Sequence, residues 1–188
     1  RPDPGLSKPG KLGPGIPVDW SGCRPYRHAF GTNPDNPVEM DLSEPVRFAV
    51  LCADLGVKLL NLTAGSPYYN PHIQRPAAYP PSDGYQPPED PLLGVARQMA
   101  ATRDIRRQLL ASLQSRPAPA PPPPAIIGTA YSYLQEYLPH VAQAAVRDGW
   151  TDFVGVGRMV LSYPELPADS LNRGNLQTRL ICRTFSDC

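Results

Sequence analysis

Two glycines and an arginine, Gly155, Gly157 and Arg158, close the apolar run "TDFV" at residues 151–154. A strand that only filled a core would more naturally finish on turn residues such as Asn or Asp. Bare amides let a backbone come close to phosphate oxygens, a helix end adds a positive dipole, and a guanidinium adds a charge-assisted contact. The stretch "VGVGRMVLSYPEL" therefore predicts a phosphate site made by Gly157, Arg158 and a helix that starts near Pro164. The plain alternative is a tight turn whose arginine is merely solvated.

The elements that would carry this site read as alternating helices and strands. Residues 1–42 hold Pro, Gly, Asp and Asn at short intervals, and no helical or strand period survives there. The first element is "SEPVRFAVLCADLG", a helix that Ser43 caps and Gly56 stops, with Val46, Ala49, Val50 and Ala53 on one face. "VKLLNLTAG" follows at once as a strand. A second helix spans "PLLGVARQMAATRDIRRQLLASL", opened by Asp90 and Pro91, with Leu92, Val95, Met99, Ile105 and Leu109 inward. "AIIGTAYS" is the next strand, Leu134 to Asp148 the next helix with Val141, Ala144 and Ala145 inward, and residues 151–157 the last strand. This alternation predicts an α/β fold with a parallel sheet covered by helices. Long loops after strands and short ones before them put the working face at the strands' C-terminal ends.

Bulk properties set the outer limits. At 188 residues the chain is one domain rather than two. A net charge of +1, with 18 Lys/Arg against 17 Asp/Glu, leaves no cationic footprint for nucleic acid. No apolar run approaches the roughly 20 residues of a membrane span, and "RPDPGLSKPG" lacks a signal-type apolar region. Cys23, Cys52, Cys182 and Cys188 are too few and too irregular for a disulfide scaffold. A soluble cytoplasmic protein is expected, without membrane or nucleic-acid partners. The 26 prolines and 15 glycines fall just under the roughly 25–30% at which low-complexity disorder is the first guess, but they are clustered.

"DGWTDFVGVGRMVLSYPELPADSL" resembles the last strand and helix of the NADH:flavin oxidoreductase family, the Old Yellow Enzyme relatives. "ADLGVKLLNLTAGSP" is similar to that family's sixth strand with its preceding helix. "AIIGTAYSYLQEYLPHVAQAAVRDG" stands where the seventh strand and helix belong. The likeness covers roughly residues 40–182 and rests on order and spacing as much as on motif. It implies a partial (β/α)8 TIM barrel, residues 1–188 forming a single domain with βα units over 43–182. It also implies FMN as cofactor, NADH or NADPH as reductant and an electron-poor alkene or similar small-molecule electron acceptor. Gly157 and Arg158 would hold the FMN phosphate, with backbone groups of Ala130, Tyr131 and Ser132 closing the site. Many relatives carry Gly-Gly where this chain has Ala130 and Tyr131; Tyr131 would then cover the flavin edge or simply pack. An intact barrel takes about 250 residues, and the family's His/Asn or His/His pair and its proton-donating Tyr belong to strands one to five. No copy of them is found here, so the catalytic residues are not assigned.

The same likeness places the long loop "SPYYNPHIQRPAAYPPSDGYQPPEDP" over the flavin, where Tyr68, Tyr69, His72 and Arg75 would meet substrate or nicotinamide. The alternative is a loop that packs on its own tyrosines. His28 and His140 have no metal-ligand spacing, and Cys182 and Cys188 lack the tight C-x2-C spacing of cluster ligands, so no metal is expected. "RPAPAPPPP" at 116–124 fits an Arg-x-x-Pro-x-x-Pro pattern through Arg116, Pro119 and Pro122, of the kind SH3 domains grip; a stiff connector is the preferred reading. Asn61 of "NLT" is a formal glycosylation acceptor, dismissed because its strand is expected to be buried. Two rivals to the flavoprotein remain: a proline-rich interaction module on a βα scaffold, and another phosphate-binding barrel, for instance one acting on a sugar phosphate.

Overall fold

Helix α1, Ser43–Asp54, buries Val46, Ala49, Cys52 and Ala53 on the face that the apolar spacing marks. Its entry differs from the expected one. Leu42 occupies the cap position, and Asp41 Oδ1 accepts the Ser43 N–H at 2.9 Å, so the aspartate and not Ser43 satisfies the first turn. At the other end Gly56 sits at φ +79°, the Gly56 N–H reaches Ala53 O at 3.0 Å and the Val57 N–H reaches Cys52 O at 2.9 Å. This Schellman arrangement leads straight into strand β1, Leu59–Leu62. The computed structural model describes residues 14–77 and 85–184.

Beyond β1 lie a short helix α2, Pro71–Gln74, and the long helix α3, Pro91–Gln114. Asp90 caps α3 by accepting the Leu92 N–H at 2.8 Å, with Pro91 in the first turn. Its buried stripe begins at Gly94 and Val95 and continues through Gln98, Thr102, Ile105, Leu109 and Leu113; Leu92, expected inward, is exposed ahead of it. The proline-rich connector forms neither helix nor strand and delivers strand β2, Ala125–Gly128. Arg116 at its start forms an ion pair with Asp54 of α1.

The helix expected from Leu134 divides in two. A 3-10 segment, Tyr131–Tyr137, is broken at Gln135, whose φ is 51°. Helix α4, Leu138–Arg147, then starts with Pro139 in its first turn, where a missing amide donor costs nothing. Strand β3, Phe153–Val154, follows. The final helix expected near Pro164 is likewise split into α5, Met159–Ser162, and α6, Leu166–Ala168, continued by a π-turn over Asp169–Arg173. Between residues 14 and 42 there is one 3-10 turn, Ser21–Cys23, and two isolated bridges, Pro14 with Gln86 and Thr32 with Met40.

The three strands form one parallel sheet in the order β1-β2-β3, with Leu60 opposite Ile126, Leu62 opposite Gly128 and Gly128 opposite Val154. The fold is thus mixed α/β around a small parallel sheet. One face is covered: Leu60, Leu62 and Ile126 pack with α1 and α3, and Val154 packs with α4, Tyr131, Met159 and Tyr163. The other face carries Leu59, Asn61, Ile127 and Phe153, and Leu59 and Phe153 are 50% and 57% exposed. Asn61 is exposed too, contrary to the buried strand expected for it. The period-2 alternation is present, but only one of its faces has a helical layer. No helix among the described residues is long and apolar enough to cross a membrane.

One side chain ties the sheet to α3. Asp152 Oδ2 accepts the Ile126 N–H at 2.8 Å, its Oδ1 takes Arg106 Nη2 at 2.8 Å, and Arg106 Nη1 donates to Gly149 O at 2.9 Å. Burial pushes the Asp152 carboxyl up, but the Arg106 hydrogen bond and the Ile126 amide outweigh it, so its pKa lies below the ordinary 3.8. The resulting stabilisation is complete above that unfolded-state value and is lost as pH falls through the lower folded value. Asp152→Asn is expected to lower stability by about 1 kcal/mol at pH 7, as befits a partly exposed pair. The gap to the wild type should narrow as the pH drops below the unfolded-state value, and urea unfolding curves at neutral and acidic pH check this.

Candidate functional site

A cavity of about 280 Å³ opens at the C-terminal ends of the three strands, on the side of the uncovered sheet face. From β1 comes Asn61 and from just after it Thr63, from the segment after β2 Thr129, Ala130, Ser132 and Tyr133, and from the segment after β3 Gly155, Val156, Gly157 and Arg158. Gln74, Arg75 and Pro76 close it from the loop, and Cys182 and Thr184 from the C-terminal segment. Thus Ala130, Ser132, Gly157, Arg158 and Arg75, five of the nine residues singled out from the sequence, are brought to one cavity.

The two glycines differ in why they are glycines. A Cβ on Gly155 would stand 3.0 Å from Ile127 Cγ2 and 3.3 Å from Gly128 O, so side-chain bulk is excluded where β3 leaves the sheet. The Gly155 N–H also donates to Gly128 O at 2.7 Å, prolonging the pairing. Around Gly157 a Cβ would meet nothing within 4 Å, and its φ lies outside the left-handed region. Neither packing nor backbone conformation requires a glycine at 157. Gly157 and Arg158 both line the cavity.

The β2 side of the cavity is strained. Ala130 sits at φ 76°, a left-handed conformation that costs a residue with a Cβ about 1–2 kcal/mol. Glycine is the residue that conformation favours. Tyr131, next in the chain, is 1% exposed and packs with Leu138, Met159 and Tyr163, and burial raises its phenol pKa. Its ring is a core element, the packing alternative of the two roles set out above; it does not line the cavity.

The loop residues separate. Tyr68 and Tyr69 are 82% and 69% exposed and lie away from the cavity lining. His72 Nδ1 shares a hydrogen bond of 2.6 Å with Tyr85 Oη, the rings meeting edge to face. Burial lowers the His72 pKa from 6.5, with Glu89 pulling it up and Arg97 down. Of the four loop residues only Arg75 reaches the cavity.

Sequence reasoning missed the residue that organises this wall. Gln98 of α3 is 2% exposed, and its Nε2 donates to Ile73 O at 2.7 Å and Gln74 O at 3.0 Å. Its Oε1 accepts from Thr129 Oγ1 at 3.1 Å and from the Ala64 N–H at 3.3 Å. The single Thr129 Oγ1 hydrogen is shared between Gln98 Oε1 and Leu62 O, which lies nearer at 2.8 Å. Strand ends β1 and β2 and the α2 loop are therefore held by one amide. The available signal was a Gln three residues after Val95, on the apolar stripe. On the far side Tyr163 Oη donates to Asp169 Oδ2 at 2.5 Å and accepts the Gln177 N–H at 2.8 Å, fixing the turn that follows α5.

Cys182, also in the lining, receives the Thr184 N–H on its sulfur at 3.4 Å; Cys188 lies outside the described residues. No group of three or more His, Cys, Asp or Glu among the described residues is placed to hold a metal ion. Chemically the cavity offers guanidinium, hydroxyl and amide groups without a carboxylate in its wall, a lining suited to an anion. No family model, curated protein or solved structure matches this chain.

Proposed function

We propose that the cavity receives the phosphate end of FMN and that the chain is a sector of a (β/α)8 barrel in an NAD(P)H-dependent flavin oxidoreductase, acting on a small electron acceptor such as an electron-poor alkene. The observation that carries this reading is Gly157: neither packing nor a left-handed φ calls for a glycine there, and it lines an anion-suited cavity together with Arg158. Three further features support it. The cavity lies at the C-terminal strand ends, where α/β barrels bind their ligands. The parallel sheet is open on one face, with β1 and β3 each paired on one side among the described residues, as in a barrel sector. The Arg75 Nε is buried without a partner, an orphan donor that fits an anionic oxygen.

When bound, FMN supplies the redox chemistry, passing a hydride from nicotinamide to acceptor; the protein binds, orients and shields it. In this chain Arg158 would neutralise phosphate charge, Gly157 would admit the phosphate close to the backbone, and Ala130 and Ser132 would bound it from the β2 side. A cavity of about 280 Å³ accommodates the phosphate and part of its polyol chain, not a whole flavin. The ring system would extend beyond it toward the uncovered sheet face.

The purified protein should be yellow and absorb at the flavin bands. Arg158→Ala should release flavin on gel filtration, because a charge-assisted contact contributes about 1.5–3 kcal/mol. A colourless protein that takes up no added FMN, or full flavin retention by the variant, overturns the reading. Binding of a sugar phosphate without FMN would favour the other phosphate-binding barrel.

A further inference from the structure

Gln74 and Arg75 both line the cavity wall, and each carries one buried polar atom without a partner among the described residues. Gln74 Oε1 and Arg75 Nε are both buried without a hydrogen-bond partner. None of the ion pairs among the described residues involves Arg75. A half-buried guanidinium with no counter-charge is unfavourable, and natural proteins rarely keep one without a use. The two groups also have opposite needs: Nε requires an acceptor, Oε1 a donor.

Their position is fixed. Gln98 holds the carbonyls of Ile73 and Gln74, and the Arg75 N–H donates to Pro71 O at 2.8 Å. Gly65, at φ +83°, lets the β1 loop close on them: a Cβ there would stand 2.9 Å from Gln74 N. Arg75 and Arg158 both line this cavity of about 280 Å³, a volume that one small ligand would fill.

We propose that Arg75 and Gln74 form a second recognition pair in this cavity, Arg75 taking an anionic oxygen and Gln74 accepting a hydroxyl hydrogen from the same ligand. Two guanidiniums with one hydroxyl acceptor select a dianionic phosphate monoester of a hydroxylated chain. The inference rests on the phosphate reading of the site. It moves Arg75 from the substrate or nicotinamide contact expected of the loop to the phosphate end. Ribityl phosphate in FMN and a free sugar phosphate share this chemistry.

The test measures binding of FMN, riboflavin, ribose 5-phosphate and inorganic phosphate to the full chain, with thermal melts alongside. FMN should bind the wild type more tightly than riboflavin, and phosphate should raise its melting temperature. Arg75→Met should weaken FMN roughly tenfold or more and leave riboflavin unchanged. It should abolish the rise with phosphate and melt no lower than the wild type without ligand, since it removes an uncompensated charge. Gln74→Leu should weaken FMN and ribose 5-phosphate but not inorganic phosphate.

If FMN and phosphate bind Arg75→Met as they bind the wild type, the pair is wrong while the flavin site stands. If ribose 5-phosphate or phosphate binds and Arg75→Met abolishes it, but FMN does not bind, the flavin reading falls and the pair stands. Absence of binding by all the phosphates to the wild type overturns both. Should Arg75→Met fail to fold, Arg75→Lys and Gln74→Leu decide, and full retention of phosphate-monoester binding by both overturns the pair.

Discussion

Gly157→Ala should leave the protein as stable as the wild type, or more stable by about 0.4–1 kcal/mol, while weakening FMN by about 10–100-fold. Gly155→Val should do the reverse in kind, lowering stability by about 1–3 kcal/mol through overpacking. Around Gly157 there is open space, so the new methyl meets no protein atom and only narrows the loop's conformational freedom when unfolded. Around Gly155 a Cβ already stands 3.0 Å from Ile127 and 3.3 Å from a backbone carbonyl that cannot swing aside, and valine adds two methyls to that contact. Urea unfolding and flavin fluorescence titration read the two effects separately. A destabilised Gly157→Ala protein, or one that holds FMN as firmly as the wild type, would remove the reason for assigning that glycine to a ligand.

The same pair shows what the sequence carried and what it did not. Both glycines were legible as an oddity at a strand end, but their different reasons depend on Ile127 and Gly128, which lie one crossover earlier in the chain. Helices α1 and α3 were legible because their apolar spacing, the Gly56 stop of α1 and the Asp90 cap of α3 are local; the entry of α1 was not, since Asp41 and not Ser43 satisfies its first turn. The split of the α4 region was not: Gln135 takes a positive φ inside a stretch of ordinary helix formers, and only Pro139 marks where the regular helix begins. The exposure of Asn61 escaped for another reason. An apolar run predicts a strand buried on both faces, whereas here only the Leu60 and Leu62 side has helices to cover it. Of the candidate site, the strand-end residues were readable as a motif. In the loop, Tyr68, Tyr69, His72 and Arg75 were alike in sequence and diverge because only Arg75 follows the two carbonyls that Gln98 anchors.

Gln98→Leu should therefore be among the most damaging single changes at the site, costing about 2–4 kcal/mol and loosening the cavity wall beyond that global loss. The leucine would still fit an apolar stripe, so the effect isolates polar satisfaction rather than volume. It would strand the carbonyls of Ile73 and Gln74 and the Ala64 N–H, part-buried groups that have this amide as their partner. Each such orphan carries a desolvation penalty that no neighbour repays. The loss should also be local. Residues 63–76 should exchange amide hydrogens faster than in the wild type even where global unfolding is negligible, while α1 and β2 should follow the global stability alone. Because Arg75 hangs on this anchor, phosphate-monoester binding should fall in the variant under conditions where it is fully folded. Hydrogen exchange by mass spectrometry with urea unfolding makes the comparison. If the loop stays protected and stability is unchanged, Gln98 is not the hinge between the sheet and the cavity wall, and the placement of Arg75 must have another cause.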